Sequence, residues 1–456
     1  MPLSVEIPSA HTMKPISTSM PLIREPTSRS IPSPNKPGPT KPFIVKSSIT
    51  PTVPEAQTQS KDQVTSLHPS SHLTSSSVAV SNDGRLIVAV NPDSDSITVI
   101  RSGGLKVLGE ISVGDNPRNV SITPDSNHAF ITDHDSATVS VVNIATLEKI
   151  AQWTVGDMPY GIVAGSDYAF IAEFGISSLA ILELRSGKVI KRIKVNDFPA
   201  GLALNEESDT LLITHFFSGL VTVVDTKTLS VEGEITTGTD TNLSQSVVID
   251  KDGSRAYVPQ TRFNVENNAR LFDNTVFPIV NVVDINNLTL LTQNRITLDT
   301  ADEPVNMPFS VVLSPNENII YVANAGSDDI SVIDLDVNKG LAHIAVGSNP
   351  RGIALSHDGS LLYVNNVLDG TLSVIDTETL VVSDSIQLTE IPVSATLLEG
   401  KRIFNSASEP KLTTDHWISC ATCHFDGMMD KETWIGFPDG ARNTPALFDV
   451  RKTLPM

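Results

Sequence analysis

One pattern returns along most of the chain and leaves few folds open to it. From Val78 to about Leu388 the same series recurs: an apolar strand, a polar turn, a second apolar strand, another polar turn, a third strand ending in Asp or a similar residue, and a fourth strand. Its period of roughly 40 to 45 residues is that of one four-stranded propeller blade. The clearest copy runs through Asn349-Pro350-Arg351-Gly352-Ile353-Ala354-Leu355-Ser356, then Leu361 to Asn366, then Leu372 to Asp376. Seven third strands are countable: Ile97–Ile100, Val139–Val142, Leu179–Leu182, Val221–Val224, Val280–Val283, Ile330–Ile333 and Leu372–Ile375. Seven blades close a ring with only short, protected edges. The alternating strands exclude a helical solenoid, whose apolar residues would recur with a 3.6 period. Asn82-Asp83-Gly84, Lys251-Asp252-Gly253 and His357-Asp358-Gly359 fall between first and second strands, where a turn wants positive φ.

With Tyr321-Val322-Ala323-Asn324 and Tyr363-Val364-Asn365-Asn366, the repeats resemble the YVTN family of β-propellers. The fold expected is all-β, a seven-bladed β-propeller over 73–389, followed by a small, partial α-helical cytochrome c domain over 390–456. Residues 1–72 are rich in Pro, Ser and Thr with no sustained hydrophobic period. They are expected to be a disordered tail or linker, because such a composition buries too little apolar surface to offset its ordering entropy.

The cytochrome expectation rests on Cys420-Ala421-Thr422-Cys423-His424, the attachment pattern of c-type haem. Two thiols one short turn apart add to the two vinyl groups of one haem, and the adjacent imidazole reaches the iron as its proximal ligand. These are the only cysteines of the chain. A zinc site needs four ligands, and a thioredoxin-like thiol pair sits beside a βαβ pattern; neither accompanies this motif. The cofactor expected is therefore one covalent haem c on Cys420 and Cys423, with His424 on the iron.

Around the motif, Glu399-Gly400-Lys401-Arg402-Ile403-Phe404 reads as the start of an amphipathic helix. Leu412 to Ser419 leads into the cysteines, and Asp426-Gly427 and Arg442-Asn443-Thr444-Pro445-Ala446-Leu447 follow. This stretch resembles the haem domain of the di-haem cytochrome c peroxidase and methylamine-utilisation group. A cytochrome of that kind continues further than Met456 and carries a second haem motif, so the segment is expected to be cut short. Met456 is the candidate sixth ligand, since cytochromes commonly use a Met thioether there. Met428 and Met429 follow His424 too closely to cross to the opposite haem face, and His416 is expected in a solvated loop.

Two features of the repeats suggest a site on the propeller. Six residues before each third strand stand Asn91, Asp133, Glu173, His215, Asn324 and Asn366, with Gln260 at the matching strand end of the fifth repeat. Such residues often bond to their own turn backbone. The mixed set Asp133, Glu173 and His215 could instead hold a divalent cation, as a lactonase-like hydrolase would need. Arg118 and Arg351 occupy matching first-strand entries on the same rim, beside Tyr160 and Phe309. The fifth repeat also carries an insertion, Thr261 to about Phe277, with Arg262, Arg270, Phe272 and Asp273. Insertions of this kind map to one face of a repeat protein, often the binding face.

Charge narrows the partners. The net charge is −20; residues 1–77 contribute +3 and residues 397–456 contribute −1, so the middle holds 18 Lys/Arg against 40 Asp/Glu. A surface this acidic excludes nucleic acid, which needs a basic patch, and would steer a basic partner. No run approaches the roughly eighteen apolar residues of a membrane span. The function expected is electron transfer or a peroxidase- or dehydrogenase-like oxidoreductase reaction, with the propeller docking a redox partner protein or binding a small-molecule substrate. The alternatives are a binding or surface scaffold with an accessory haem, and the hydrolase. Haem attachment of this kind implies a periplasmic or extracellular location, and export needs a signal that is not visible after Met1.

Overall fold

The computed structural model describes residues 72–448 apart from 268–273, 300, 302, 411, 414, 436 and 438–439. The expected tail therefore lies outside the described residues except for its last residue, His72, which is in a strand; Arg270, Phe272, Asp273 and Met456 also lie outside them.

Seven antiparallel sheets follow one another along the chain: blade 1 (78–112), blade 2 (117–154), blade 3 (159–194), blade 4 (199–238), blade 5 (241–297), blade 6 (308–345) and blade 7 (350–387). All seven third strands fall as the repeat requires. The second and third strands are buried on both faces, as in Leu86–Asn91 and Ser96–Arg101, because each blade packs against the next. The alternation in the third strands is therefore of apolar side chains with small Ser and Thr ones, as in Ile97-Thr98-Val99-Ile100, and both sets are buried. Val88, Val90, Ile97 and Val99 of blade 1 meet Val120, Ile122, Ala129 and Ile131 of blade 2 in one such core. Fourth strands are the outer edges and are largely exposed, as in Lys106–Ser112.

The axis of the ring is filled by chain that the repeat does not reveal. His72–Thr74 pairs antiparallel with Pro199–Asn205 as an added innermost strand of blade 4. Ser75 N–H then donates to the Leu202 carbonyl, the Ser76 carbonyl accepts from Val120 N–H, and the Ser77 carbonyl accepts from Asn365 Nδ2. One short Ser-rich segment thus satisfies backbone groups of blades 2 and 4 and a side-chain amide of blade 7. Ring closure adds Thr98 Oγ1 donating to the Leu388 carbonyl, 2.9 Å, and Asn365 Nδ2 to the Val90 carbonyl, 2.8 Å.

The expected α-helical cytochrome c domain is not present. Beyond blade 7 the described chain has one full helix, Ala395–Asn405, a single turn Cys420–Cys423, a 3-10 turn Phe425–Gly427 and the strand pair Thr433–Trp434 with Arg442–Asn443. The physical reason is the destination of its apolar side chains. Ala421, Phe425 and Trp434 are buried in a cluster with Tyr160, Phe174, Phe216, Phe263, Met307 and Phe309 of the propeller. The helix Ala395–Asn405 buries no residue fully. A segment that spends its apolar groups on a neighbour has no core with which to stand as a domain.

Candidate functional site

The C-terminal segment lies on the rim where first strands begin. At each entry to blades 2, 3, 4, 6 and 7 the residue before proline, namely Asn116, Met158, Phe198, Met307 and Asn349, is left-handed. The turn presents the next side chain: Arg118 and Arg351 point at the segment, and Tyr160 and Phe309 carry the matching positions in blades 3 and 6.

Both arginines converge on Asp426. An Nη of Arg118 lies 2.7 Å from Asp426 Oδ2 and an Nη of Arg351 lies 3.2 Å from Oδ1. The guanidinium of Arg118 sits 5.7 Å from the Tyr160 ring centre; that of Arg351 sits 5.5 Å from Phe309 and 4.9 Å from Phe425. Arg351 is further held by Nε donating to Asn349 Oδ1 at 2.6 Å. Burial alone would raise the Asp426 carboxyl, but the two guanidiniums outweigh it and hold the group well below the usual carboxylate range. Burial pushes the Tyr160 hydroxyl up to about 12, so it stays protonated and donates to Gln245 Oε1 at 2.7 Å.

Next to this ion triad the Cys420–Cys423 turn is capped by Ser419, whose side chain and that of Thr422 form a capping box. Both hydroxyls also donate to Asn306 Oδ1, at 3.2 and 3.1 Å, while Asn306 Nδ2 donates to the Trp417 carbonyl at 2.9 Å. One buried amide at the entry to blade 6 therefore fixes the start of the motif. Cys420 is exposed, Cys423 half-buried, and neither is in a disulfide. Burial raises the Cys423 thiol, and the neighbouring Asp430 reinforces the shift. His424 is half-buried and its Nδ1 is a buried atom without a hydrogen-bond partner. Phe425 inserts beneath it, 4.9 Å from Phe216 and 5.9 Å from Phe309.

Blade 5 secures the far end of the segment. Its second and third strands, Arg255–Phe263 and Val276–Asp284, are each nine residues long, so the visible part of the insertion is a hairpin extension paired through Phe263 and Val276. Phe263 meets Trp434 edge-on at 5.5 Å, the Val265 carbonyl accepts from Ile435 N–H, and Asn242 Nδ2 donates to the Asp430 carbonyl at 2.7 Å. Arg262 pairs with Asp240 at 2.5 Å on its own blade.

The polar ring is placed differently from a shared site. Asn91, Asp133, Glu173, His215, Gln260, Asn324 and Asn366 are all buried, and most bond to the third strand of their own blade. Asp133 accepts from Thr138 and Ser140 and from the N–H of Gly114 in the preceding interblade turn. A Cβ at Gly114 would meet the Asp133 carboxyl at 2.5 Å, so this contact requires glycine. Glu173 accepts from Gly156 N–H, Ser178 and Arg192, and His215 is bonded to the Asp197 carbonyl and Thr222. Among the described residues no three His, Cys, Asp or Glu side chains are close enough together to hold a metal ion. His416 is exposed; Met428 is half-buried and Met429 exposed.

Sequence reasoning brought Arg118 and Arg351 to one rim and singled out Cys420, Cys423 and His424, but assigned no role to Asp426, Asn306 or Phe425. The signal available for Asp426 was two matched arginines on separate blades.

A cytochrome D1 haem domain model matches residues 274–403, and a lactonase, seven-bladed β-propeller model matches residues 48–163. Neither spans half of the chain. No curated protein matches the sequence. Among solved structures, Kuenenia stuttgartiensis hydrazine synthase is similar with a TM-score of 0.61 and 19% identity, covering 66% of this chain and 94% of that one. Dihydro-haem d1 dehydrogenase NirN, in complex with DHE, gives a TM-score of 0.48 and 18% identity over 68% of this chain and 66% of its own. The class defined is a seven-bladed β-propeller. No described helix is long and apolar enough to cross a membrane.

Proposed function

We propose that this propeller is a haem-bearing redox protein, with one c-type haem attached through Cys420 and Cys423 and with His424 on the iron. The observation that carries the reading is two thiols outside any disulfide on one helical turn with an imidazole directly after them. The donor set fits a covalent haem, and among the described residues no metal cluster competes for the histidine. When bound, the haem supplies reversible one-electron chemistry at its iron. The chain's own residues do the positioning: Asn306 holds the turn, and Asp426 between Arg118 and Arg351 ties the residues after His424 to blades 2 and 7. The match of residues 274–403 to a cytochrome D1 haem domain supports a haem on this propeller.

The acidic blades dock a basic redox protein, or the propeller takes a small-molecule substrate, in a periplasmic or extracellular compartment where covalent attachment proceeds. Met456, outside the described residues, remains the candidate for the sixth position. The test is a pyridine haemochrome spectrum of protein produced with haem-attachment machinery, compared with Cys420→Ala and Cys423→Ala. A c-type spectrum lost or diminished in both variants is expected. Apoprotein from the unaltered sequence would remove the haem and leave a binding scaffold. Carbon monoxide binding to the reduced protein then separates an open sixth site, which peroxidase-like chemistry needs, from a ligated one suited to electron transfer.

A further inference from the structure

A partly open cavity of about 840 Å³ lies between blades 1, 2, 3 and 7 and the face of the C-terminal segment formed by helix Ala395–Asn405 and Asp426–Met428. Cys420, Cys423 and His424 do not line it, so what it holds is independent of the haem. Much of its wall is apolar, from buried Tyr160 and Phe174, which stack at 5.8 Å, to half-buried Met158 and Phe404. Leu397 and Phe448, also on the wall, are more than half exposed, and an apolar ligand would take that surface out of water.

Most charged groups of the wall answer one another. Lys401 meets Asp93 at 2.5 Å, and Arg118 and Arg351 share Asp426. Asp95 Oδ1 accepts from Asn116 N–H, and Asp135 accepts from Asn116 Nδ2 and from His134. That last bond leaves one group open. His134 is only 7% exposed, yet it lines the cavity. A carboxylate accepts and does not donate, so Nδ1 carries the proton in its 2.7 Å bond to Asp135 Oδ1. Burial and the charge of Arg118 hold the ring below the ordinary histidine value, so at pH 7 it is neutral and Nε2 presents a lone pair. Nε2 has no hydrogen-bond partner among the described residues and, unlike His424 Nδ1, is not sealed from solvent. The imidazole stands 6.2 Å from the Tyr160 ring and 6.3 Å from that of Phe174.

We propose that this cavity binds an uncharged phenol, its hydroxyl donating to His134 Nε2 and its ring lying against Tyr160 and Phe174. A phenol bonded to Nε2 has its ring centre about 5 Å from that nitrogen, and aromatic rings meet at about 4.5–7 Å. One small molecule therefore reaches both the acceptor and the aromatic pair, which lie 6.2 and 6.3 Å from the imidazole. An ammonium in that place is opposed by the Arg118 charge that already acts on His134. A carboxylate has no proton to give Nε2 and shares the wall with exposed Asp95, Asp115 and Asp135. A neutral donor on an aromatic body meets neither objection.

The test is equilibrium dialysis of the purified protein at pH 7 against three probes: 2-naphthol, 2-methoxynaphthalene, which keeps the rings and lacks the donor, and 2-naphthylmethylammonium, which adds a charge. 2-Naphthol is expected to bind about fivefold tighter than the ether, the value of one neutral hydrogen bond near 1 kcal/mol. In His134→Phe, which keeps a ring in place and removes the acceptor, the ratio should fall to about one. Equal binding of 2-naphthol and the ether by the unaltered protein overturns the proposal. So does a ratio that persists in His134→Phe, tighter binding of the ammonium, or no binding of 2-naphthol below about 1 mM. The comparison within the unaltered protein decides the case even where the variant does not fold.

Discussion

Replacing Asp426 with Asn keeps the side chain's size and one acceptor oxygen but removes the charge that two guanidiniums share. Arg118 and Arg351 are about one-tenth exposed and Asp426 about one-quarter exposed. Removing one member of a fully buried ion pair costs about 3–5 kcal/mol, because the partner charge is left uncompensated. Partial solvent access to Asp426 and the Asn349 contact that Arg351 keeps place the expected cost lower, at about 2–3 kcal/mol. The loss should fall on docking of the segment rather than on the ring, since the blades have their own interblade cores. Hydrogen exchange reads this directly. The amides of Thr422, His424, Gly427 and Met428, which donate within the segment, should exchange roughly 30- to 150-fold faster in the variant. Second-strand amides of blades 2 and 3 should be unchanged. A double-mutant cycle with Arg118→Gln should show coupling, so that Asp426→Asn costs less when Arg118 is already gone. Unaltered protection of the segment, or equal loosening of every blade, would refute the assignment of Asp426 as its anchor.

Three further outcomes follow from the same structure. Phe425 is about 1% exposed between Phe216 and Phe309; Phe425→Ala should cost about 3–5 kcal/mol in segment docking, seen as rapid proteolysis after residue 390 with an intact propeller. Asn306→Ala removes contacts to Trp417, Ser419 and Thr422 and should lower haem occupancy even with both cysteines present, measured by the haem-to-protein absorbance ratio. Asp328 is raised to about 7 by burial, with Asp369 and Asp329 adding repulsion against the opposing Arg402. Because its folded value exceeds the unfolded one, its contribution is present below about pH 4 and lost as pH rises through about 7. Asp328→Asn, which keeps the bond from Asn349 N–H, should flatten that decline in urea-unfolding stability between pH 4 and 8.

The blades were legible because every copy repeats the same burial pattern, and Ile97, Val139, Leu179, Val221, Val280, Ile330 and Leu372 each open a third strand buried on both faces. The Cys420–His424 motif stands out in the sequence by its spacing, and the structure places its two thiols on one helical turn with His424 directly after them. Ser75–Ser77 at the axis could not be found this way: the segment is polar, unrepeated and stabilised by backbone bonds to distant blades. The C-terminal segment was misread as a helical domain for a related reason. Its local helix signals at Glu399–Phe404 are real and fall within helix Ala395–Asn405, but the partners of Phe425, Trp434 and Asp426 lie between about 75 and 310 residues away in sequence. Arg118 and Arg351 showed their match by repeat position, and only the closed ring shows that both face one carboxylate. The polar ring was located correctly by counting, yet its residues turn inward onto Gly114, Ser178 and Thr222 of nearby turns and strands, which composition cannot reveal.

The central claim is the covalent haem, and intact-mass measurement after acid extraction tests it most directly. Protein produced with haem-attachment machinery should retain the mass of one haem after extraction, with the added mass confined to the peptide carrying Cys420 and Cys423. A bare polypeptide mass, or haem that leaves on extraction, would contradict it.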